Sequence, residues 1–232
     1  VGIFSTASRF LRRSLIRATY MQMHPPSIMA RFVICAPNDA HTQRLVKLEQ
    51  DAYRDLLVLS CRENMDDGKS LFYMRAMAFL FAEKQSLASM QPRLVMKADD
   101  DTYVHLGNLA TRFATLPHAG VYFGRDYERQ FMTGMGYAVS WDIVAQLGSL
   151  LGDTRSIKAV GGVAGQEDIV MARWVRHTNR LRHWISEERE FYDDPSFAGQ
   201  GWAHPYTPGT LLIHRLKLDD PFVTAATHFA AA

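Results

Sequence analysis

The chain has 232 residues, with 26 basic and 24 acidic side chains and a net charge of +2. Hydrophobic residues make up 47% and charged ones 22%, with 15 Gly, 9 Pro and 2 Cys. These values fit one globular domain. They exclude a disordered tail, a collagen-like fibre, a disulfide-stapled miniprotein and a general nucleic-acid polycation.

The charge is unevenly spread. Residues 1–31 hold Arg9, Arg12, Arg13, Arg17 and Arg31 and no acid, so this segment is +5 and the remainder −3. The first 20 residues admit two readings. An Arg-rich, Ser-containing, acid-free start looks like a mitochondrial transit peptide. Alternatively it is a basic helix of the domain. Arg9, Arg13 and Arg17 are spaced i, i+4, i+8 and share one helix face, and such a guanidinium stripe suits phosphates. The chain begins at Val1, so a fragment lacking an N-terminal anchor is expected.

ARFVICAP (30–37) reads as a buried strand ended by Pro37-Asn38-Asp39. Residues 41–54 form a helix with Leu45, Leu48 and Ala52 at helical spacing. LLVLS (56–60) is a second strand, and 68–84 an apolar helix packed on the sheet. RLVMKA (93–98) is a third strand that runs into Asp99-Asp100-Asp101. A helix over 105–116, strands at 120–124 and YAVSW, and a helix near 142–151 follow. A Gly-rich loop (161–165) precedes QEDIVMARWVR, whose Glu167 and Asp168 suit a helix N-terminus. TLLIH (210–214) is a late strand. Alternating strands and helices imply βαβ units and a mainly parallel sheet, with ligands bound beyond the strands' carboxyl ends. Cys35 and Cys61 sit in apolar runs and read first as two buried thiols, with one disulfide left open. No run approaches the roughly 18–20 apolar residues of a membrane span.

Three successive carboxylates after a strand need a cation to neutralise them. Residues i and i+2 of an extended backbone point the same way. Asp99 and Asp101 therefore converge, while Asp100 faces elsewhere. Hard oxygen donors suit Mg²⁺ or Mn²⁺, often shared with substrate phosphates. The plain alternative is a solvated acidic turn, and the flanking LVMK and TYV weigh against it by embedding the triplet in the core. Glu167-Asp168 is either a helix-terminal charge pair or the source of a general base. Gly134-Met135-Gly136 reads as a turn or a close approach to a ligand. His214 on its own reads as structural.

The order of motifs resembles the β-1,3-galactosyltransferase-type glycosyltransferases of family 31, particularly their fungal and plant-like branch. The resemblance rests on RRSLIRATY (12–20), RFVICAP (31–37), residues 55–70, LVMKADDDTYV (94–104), TGMGYAVS (133–140), GQEDIVMARW (165–174) and PGTLLIHRLK (208–217). It implies a GT-A fold: a single α/β catalytic domain over residues 1–232 with a mostly parallel twisted central sheet flanked by helices. It also implies roles. Asp99, Asp101 and His214 would hold Mn²⁺ or Mg²⁺. Arg13, Arg17, Lys69, Lys97, Asp99, Asp100, Gly134, Gly136, Tyr137 and Glu167 would surround the UDP-sugar donor. Asp168 would be the catalytic base. Tyr20 stands where the family usually has Trp, and Cys61 replaces a small or acidic residue.

The resemblance implies inverting, metal-dependent transfer of a galactose- or N-acetylglucosamine-type hexose from a UDP-sugar to a glycan, glycoprotein or glycolipid hydroxyl. The product would be a β-linkage of the 1,3 type. A Golgi-lumenal, type II membrane location is implied for the full-length chain, with membrane contact only through the missing anchor and no nucleic-acid partner. The rival readings are a non-catalytic nucleotide-sugar- or glycan-binding protein of the same fold and a metal-dependent phosphohydrolase.

Overall fold

The computed structural model describes residues 1–83 and 91–230. The strands are β1 (Gly2–Phe4), β2 (Arg31–Cys35), β3 (Leu56–Leu59), β4 (Leu94–Asp99), β5 (Tyr103–Val104), β6 (Val121–Tyr127), β7 (Phe131–Ser140), β8 (His183–Ser186), β9 (Phe191–Asp193) and β10 (Leu212–His214). The helices are α1 (Phe10–Ala18), α2 (Ala40–Tyr53), α3 (Lys69–Glu83), α4 (Leu106–Ala114), α5 (Trp141–Leu150), α6 (Thr154–Val160), α7 (Glu167–His177) and α8 (Asp219–Ala230). Among the described residues no helix is long and apolar enough to cross a membrane.

Seven strands form the central sheet in the order β3-β2-β1-β4-β7-β6-β8. The β3-β2-β1-β4 half is parallel throughout, and β7 runs antiparallel between β4 and β6. Helices flank the sheet, as the sequence implies. Its strands alternate between two cores. Phe32 and Ile34 face one cluster and Val33 the other; Met96 and Ala98 face the first and Val95 the second. Burial on both faces is why these runs read as continuously apolar. A small sheet, β5-β10-β9, lies beside the carboxyl end of β4.

Several expectations are corrected. The arginine-rich start is neither a free leader nor all helix. It opens with β1, which pairs with both β2 and β4. Three residues are too few to carry a period, so nothing in the pattern marks it. Gly2 is needed there, because a Cβ would stand 2.6 Å from the Tyr73 ring. In α2 the helix is as expected but its face is not. Leu45 and Leu48 are exposed, and Val46 and Glu49 are buried. The expected 68–84 helix is observed as Lys69–Glu83, and Lys84 lies outside the described residues. YAVSW is the end of the longer β7. Cys35 and Cys61 form a disulfide rather than two thiols, their Cα atoms 5.1 Å apart. Parallel pairing of β2 with β3 brings Cys35 level with the residues just before Cys61.

The guanidinium stripe of α1 turns inward. Arg13 is fully buried, and its Nε donates to Glu49 Oε1 at 2.8 Å. Its other nitrogens reach Glu49 Oε2 at 2.6 Å and the carbonyls of Thr6 and Ala7. Arg17 forks onto Asp55 at 2.7 and 2.8 Å and also meets Glu49. Burial opposes ionisation of Glu49, yet the two arginines outweigh it and hold its carboxyl below the usual range. Its contribution is therefore present above pH ~4.3 and lost on acidification. Glu49→Ala leaves two sequestered cations without their shared counter-charge. It should cost about 3–5 kcal/mol, read as a lower urea midpoint at unchanged slope.

Candidate active site at the end of the fourth strand

Asp99 is the last residue of β4, and a tight turn follows it. Three backbone bonds fix the triplet. Asp100 N–H donates to Phe4 O at 3.0 Å, Thr102 N–H to Asp99 O at 3.2 Å, and Leu216 N–H to Asp101 O at 2.9 Å. The turn is thus clamped between the end of β1 and the chain leaving β10. Carboxylate oxygens of Asp99 and Asp101 and a ring nitrogen of His214 lie within 4.8 Å of one another. Asp100 faces elsewhere and pairs with Arg9.

His214 is oriented from behind. Its Nδ1 lies 2.9 Å from Asp193 Oδ1, and its Nε2 faces Asp101 Oδ1 at 3.8 Å. A carboxylate behind a histidine fixes the ring and its tautomer, as in many metal sites. Asp101 Oδ1 is buried without a hydrogen-bond partner. Two carboxylates and one imidazole, with a buried oxygen of the Asp101 carboxylate left unpartnered, fit a divalent cation such as Mn²⁺ or Mg²⁺. Burial raises the Asp99 carboxyl to about 6; Lys97 opposes the rise and Asp101 adds to it.

Lys97 lies fully buried under this cluster. Its Nζ stands 2.8 Å from Asp99 Oδ1 and 3.7 Å from Glu167 Oε2, and it donates to the Gly134 carbonyl. Burial works against its charge, but Asp99 and Glu167 more than offset that, and its pKa is raised. Glu167, at the start of α7, accepts hydrogen bonds from the Ser70 and Tyr137 hydroxyls. Asp168 is half-buried, and its Oδ1 accepts from the Ile169 N–H at 2.9 Å. Burial, with Glu167 next to it, raises its pKa.

The structure therefore gathers Asp99, Asp101, His214, Lys97, Glu167 and Gly134. It separates others that were expected around a donor. Arg13 and Arg17 are spent on Glu49 and Asp55. Asp100 is buried and paired with Arg9. Lys69 is buried, donating to Ser5 O at 2.7 Å and to Glu63. Glu63 Oε2 also accepts from Cys35 N–H at 3.0 Å, next to the disulfide. Tyr137 is fully buried with its hydroxyl on Glu167. Gly134 and Gly136 belong to β7, not to a turn. A Cβ at Gly136 would stand 2.5 Å from Leu212 Cδ1, so that glycine serves the packing of β10. Asp193 and Ser70 were missed. The acid pair in FYDDP was the one available signal for Asp193, and nothing marked Ser70.

A mostly parallel sheet with helices on both sides and an acidic strand end facing a histidine defines an α/β domain of the GT-A type. Residues 11–125 match the family model described as Galactosyltransferase, and over this stretch the chain belongs to that family. The stretch includes the triplet and stops short of Asp168 and His214. The chain is 26% identical over 205 aligned residues to beta-1,3-galactosyltransferase pvg3 of Schizosaccharomyces pombe, covering 63% of this chain and 54% of that protein. It is 24% identical over 147 residues to hydroxyproline O-galactosyltransferase GALT5 of Arabidopsis thaliana, covering 61% and 21%. The chain thus spans about half the length of the first relative and about a fifth of the second. Glycosyl transfer is the chemistry these names share.

Glu167→Ala removes a counter-charge of buried Lys97 and the acceptor of two hydroxyls. It should destabilise the chain by about 3 kcal/mol, measured by denaturant unfolding. Glu167→Gln, which keeps the acceptor, should cost less in the same measurement.

Proposed function

We propose that residues 1–232 form one catalytic domain that transfers a hexose from a UDP-sugar to a glycan hydroxyl, with inversion to a β-linkage. The observation that carries this reading is the convergence of Asp99, Asp101 and His214 at a strand end, in a chain whose first half matches the galactosyltransferase family. Both relatives are named galactosyltransferases, which favours UDP-galactose as donor over UDP-N-acetylglucosamine. One of them is named for β-1,3 transfer, which favours that linkage.

Asp99, Asp101 and His214 would hold Mn²⁺ or Mg²⁺, with Asp193 fixing the imidazole. When bound, the ion supplies Lewis-acid stabilisation to the departing diphosphate. Lys97 keeps Asp99 ionised and sets its position. Asp168 takes the proton from the acceptor hydroxyl. That oxygen bonds to the anomeric carbon while the bond from this carbon to the UDP oxygen breaks on the opposite face. The two carboxylate sites divide the work by surroundings, one beside cations and the other partly desolvated with its proton affinity raised. The Cys35–Cys61 disulfide supports an oxidising compartment. The reading extends to the Golgi lumen, with a type II anchor N-terminal to these residues.

Asp168→Asn should lower kcat by at least ~10²-fold while UDP and Mn²⁺ still bind by calorimetry; transfer at the normal rate would remove the base assignment. Because Asp168 must be deprotonated and its pKa is raised, activity should fall on the acid side with a midpoint above the usual ~3.9 of an aspartate. Asp168→Asn should abolish that limb in kcat against pH. Mn²⁺ affinity measured by calorimetry should be lost in His214→Ala and fall about 10–100-fold in Asp193→Asn.

A further inference from the structure

A groove of about 610 Å³ opens at the hairpin between β6 and β7, away from the acidic cluster. Its walls are Trp184, Trp202 and Tyr127, with Arg125, Asp126 and Glu188 between them. The aromatic walls are held in place. Trp184 Nε1 donates to Asp126 Oδ2 at 2.8 Å. The Arg125 guanidinium lies 4.5 Å over the Trp202 ring and donates to the Phe191 carbonyl at 2.8 Å. Such fixed rings need little ordering when a ligand arrives.

The hairpin tip is strained. Glu128 and Arg129 sit at φ 48° and 56°, the left-handed region where tight hairpins normally use Gly or Asn. The Gln130 N–H closes the turn onto Tyr127 O at 2.8 Å. Two long charged side chains are kept at the rim where smaller residues would relieve the backbone. Strain of this kind collects at ligand-binding elements.

The chemistry of the walls selects the occupant. Two arginines and three acids line the groove, so an ion of either sign meets its own charge there. A neutral pyranose gains on every side. Its C–H faces cover aromatic rings, and its hydroxyls both donate to carboxylates and accept from guanidinium groups. The elements that form the groove also reach the acidic cluster. The loop carrying Trp202 passes so close to Asp193 that a Cβ on Gly201 would stand 3.1 Å from its Oδ2. Along β7, Phe131 at the hairpin is three residues from Gly134 beside Lys97, a distance of ~10 Å.

We propose that this groove is an acceptor-side subsite that holds a neutral sugar ring of the glycan receiving the hexose, with Trp202 as its principal platform. The proposal rests on the transferase reading above. It adds that the acceptor is recognised through a second ring and not only at the reacting hydroxyl.

The test compares wild-type chain with Trp202→Ala, Trp202→Phe and Tyr127→Ala, each checked for folding by circular dichroism. Acceptor kinetics use methyl β-galactoside and galactobiose with Mn²⁺ and UDP-galactose, and UDP-galactose hydrolysis is followed without acceptor. Trp202→Ala should raise KM for galactobiose about tenfold and leave hydrolysis within about twofold of wild type. Trp202→Phe should recover most of that loss, and KM for the single-ring glycoside should change little. An unchanged galactobiose KM in both alanine variants overturns the proposal. So does a hydroxyproline peptide acceptor whose KM depends on Trp202 while galactobiose does not. Saturation-transfer NMR on galactobiose reads the groove without turnover. A signal lost in Trp202→Ala supports the subsite even if UDP-galactose is not consumed, in which case the transferase reading fails instead. Equal signals in wild type and Trp202→Ala sink the subsite.

Discussion

Lys97 is a buried cation in the middle of a sheet, and the carboxyl end of that sheet is organised around compensating it. An ammonium group without solvent is tolerated only when anions and carbonyls replace its water. Asp99, Glu167 and the Gly134 carbonyl do so. Each comes from a different element, so one charge ties β4, β7 and the start of α7 together. Ser70 and Tyr137 then satisfy Glu167 and draw in α3. Asp168 follows Glu167 directly, so the position of the proposed base is inherited from the anchoring of its neighbour.

The same rule explains which cations are left for chemistry. Arg13 and Arg17 neutralise Glu49 and Asp55, Arg9 neutralises Asp100, and Lys69 neutralises Glu63. The +5 of the first 31 residues is therefore largely internal structure. Arg13 and Lys69 also hold the chain after β1, through the carbonyls of Thr6, Ala7 and Ser5. The first strand's exit is thereby fixed against the triplet by basic side chains that do not themselves point into the mouth. Asp101 is left without such a cation: its Oδ1 lacks a hydrogen-bond partner and faces an imidazole held by Asp193.

Parts of this were legible from residue order. The strands 31–35, 56–59 and 94–99 declare themselves by continuous β-rich apolar runs, although the edge strand 56–59 is only partly buried. Asp99 and Asp101 follow a strand at spacing i, i+2, which fixes that their side chains share a side and that Asp100 does not. Glu167 and Asp168 open a helix, where acids are favoured. The buried face of α2 is not legible in the same way, because leucines at helical spacing suggest a core stripe while a glutamate takes the interior through two arginines. Gly2–Phe4 gave no signal, since a three-residue strand has no period.

The sequence by itself determined the α/β order, the family and the acidic strand end, because these depend on local pattern and on motifs along the chain. Only the tertiary structure decided which charges are spent. Whether an arginine meets a phosphate or a glutamate depends on partners 36 or 38 residues away, and on which of them the sheet brings near. The pairing of Asp193 with His214, the Cys35–Cys61 bond and the tryptophan groove are likewise contacts between segments distant in the chain, and no local spacing encodes them.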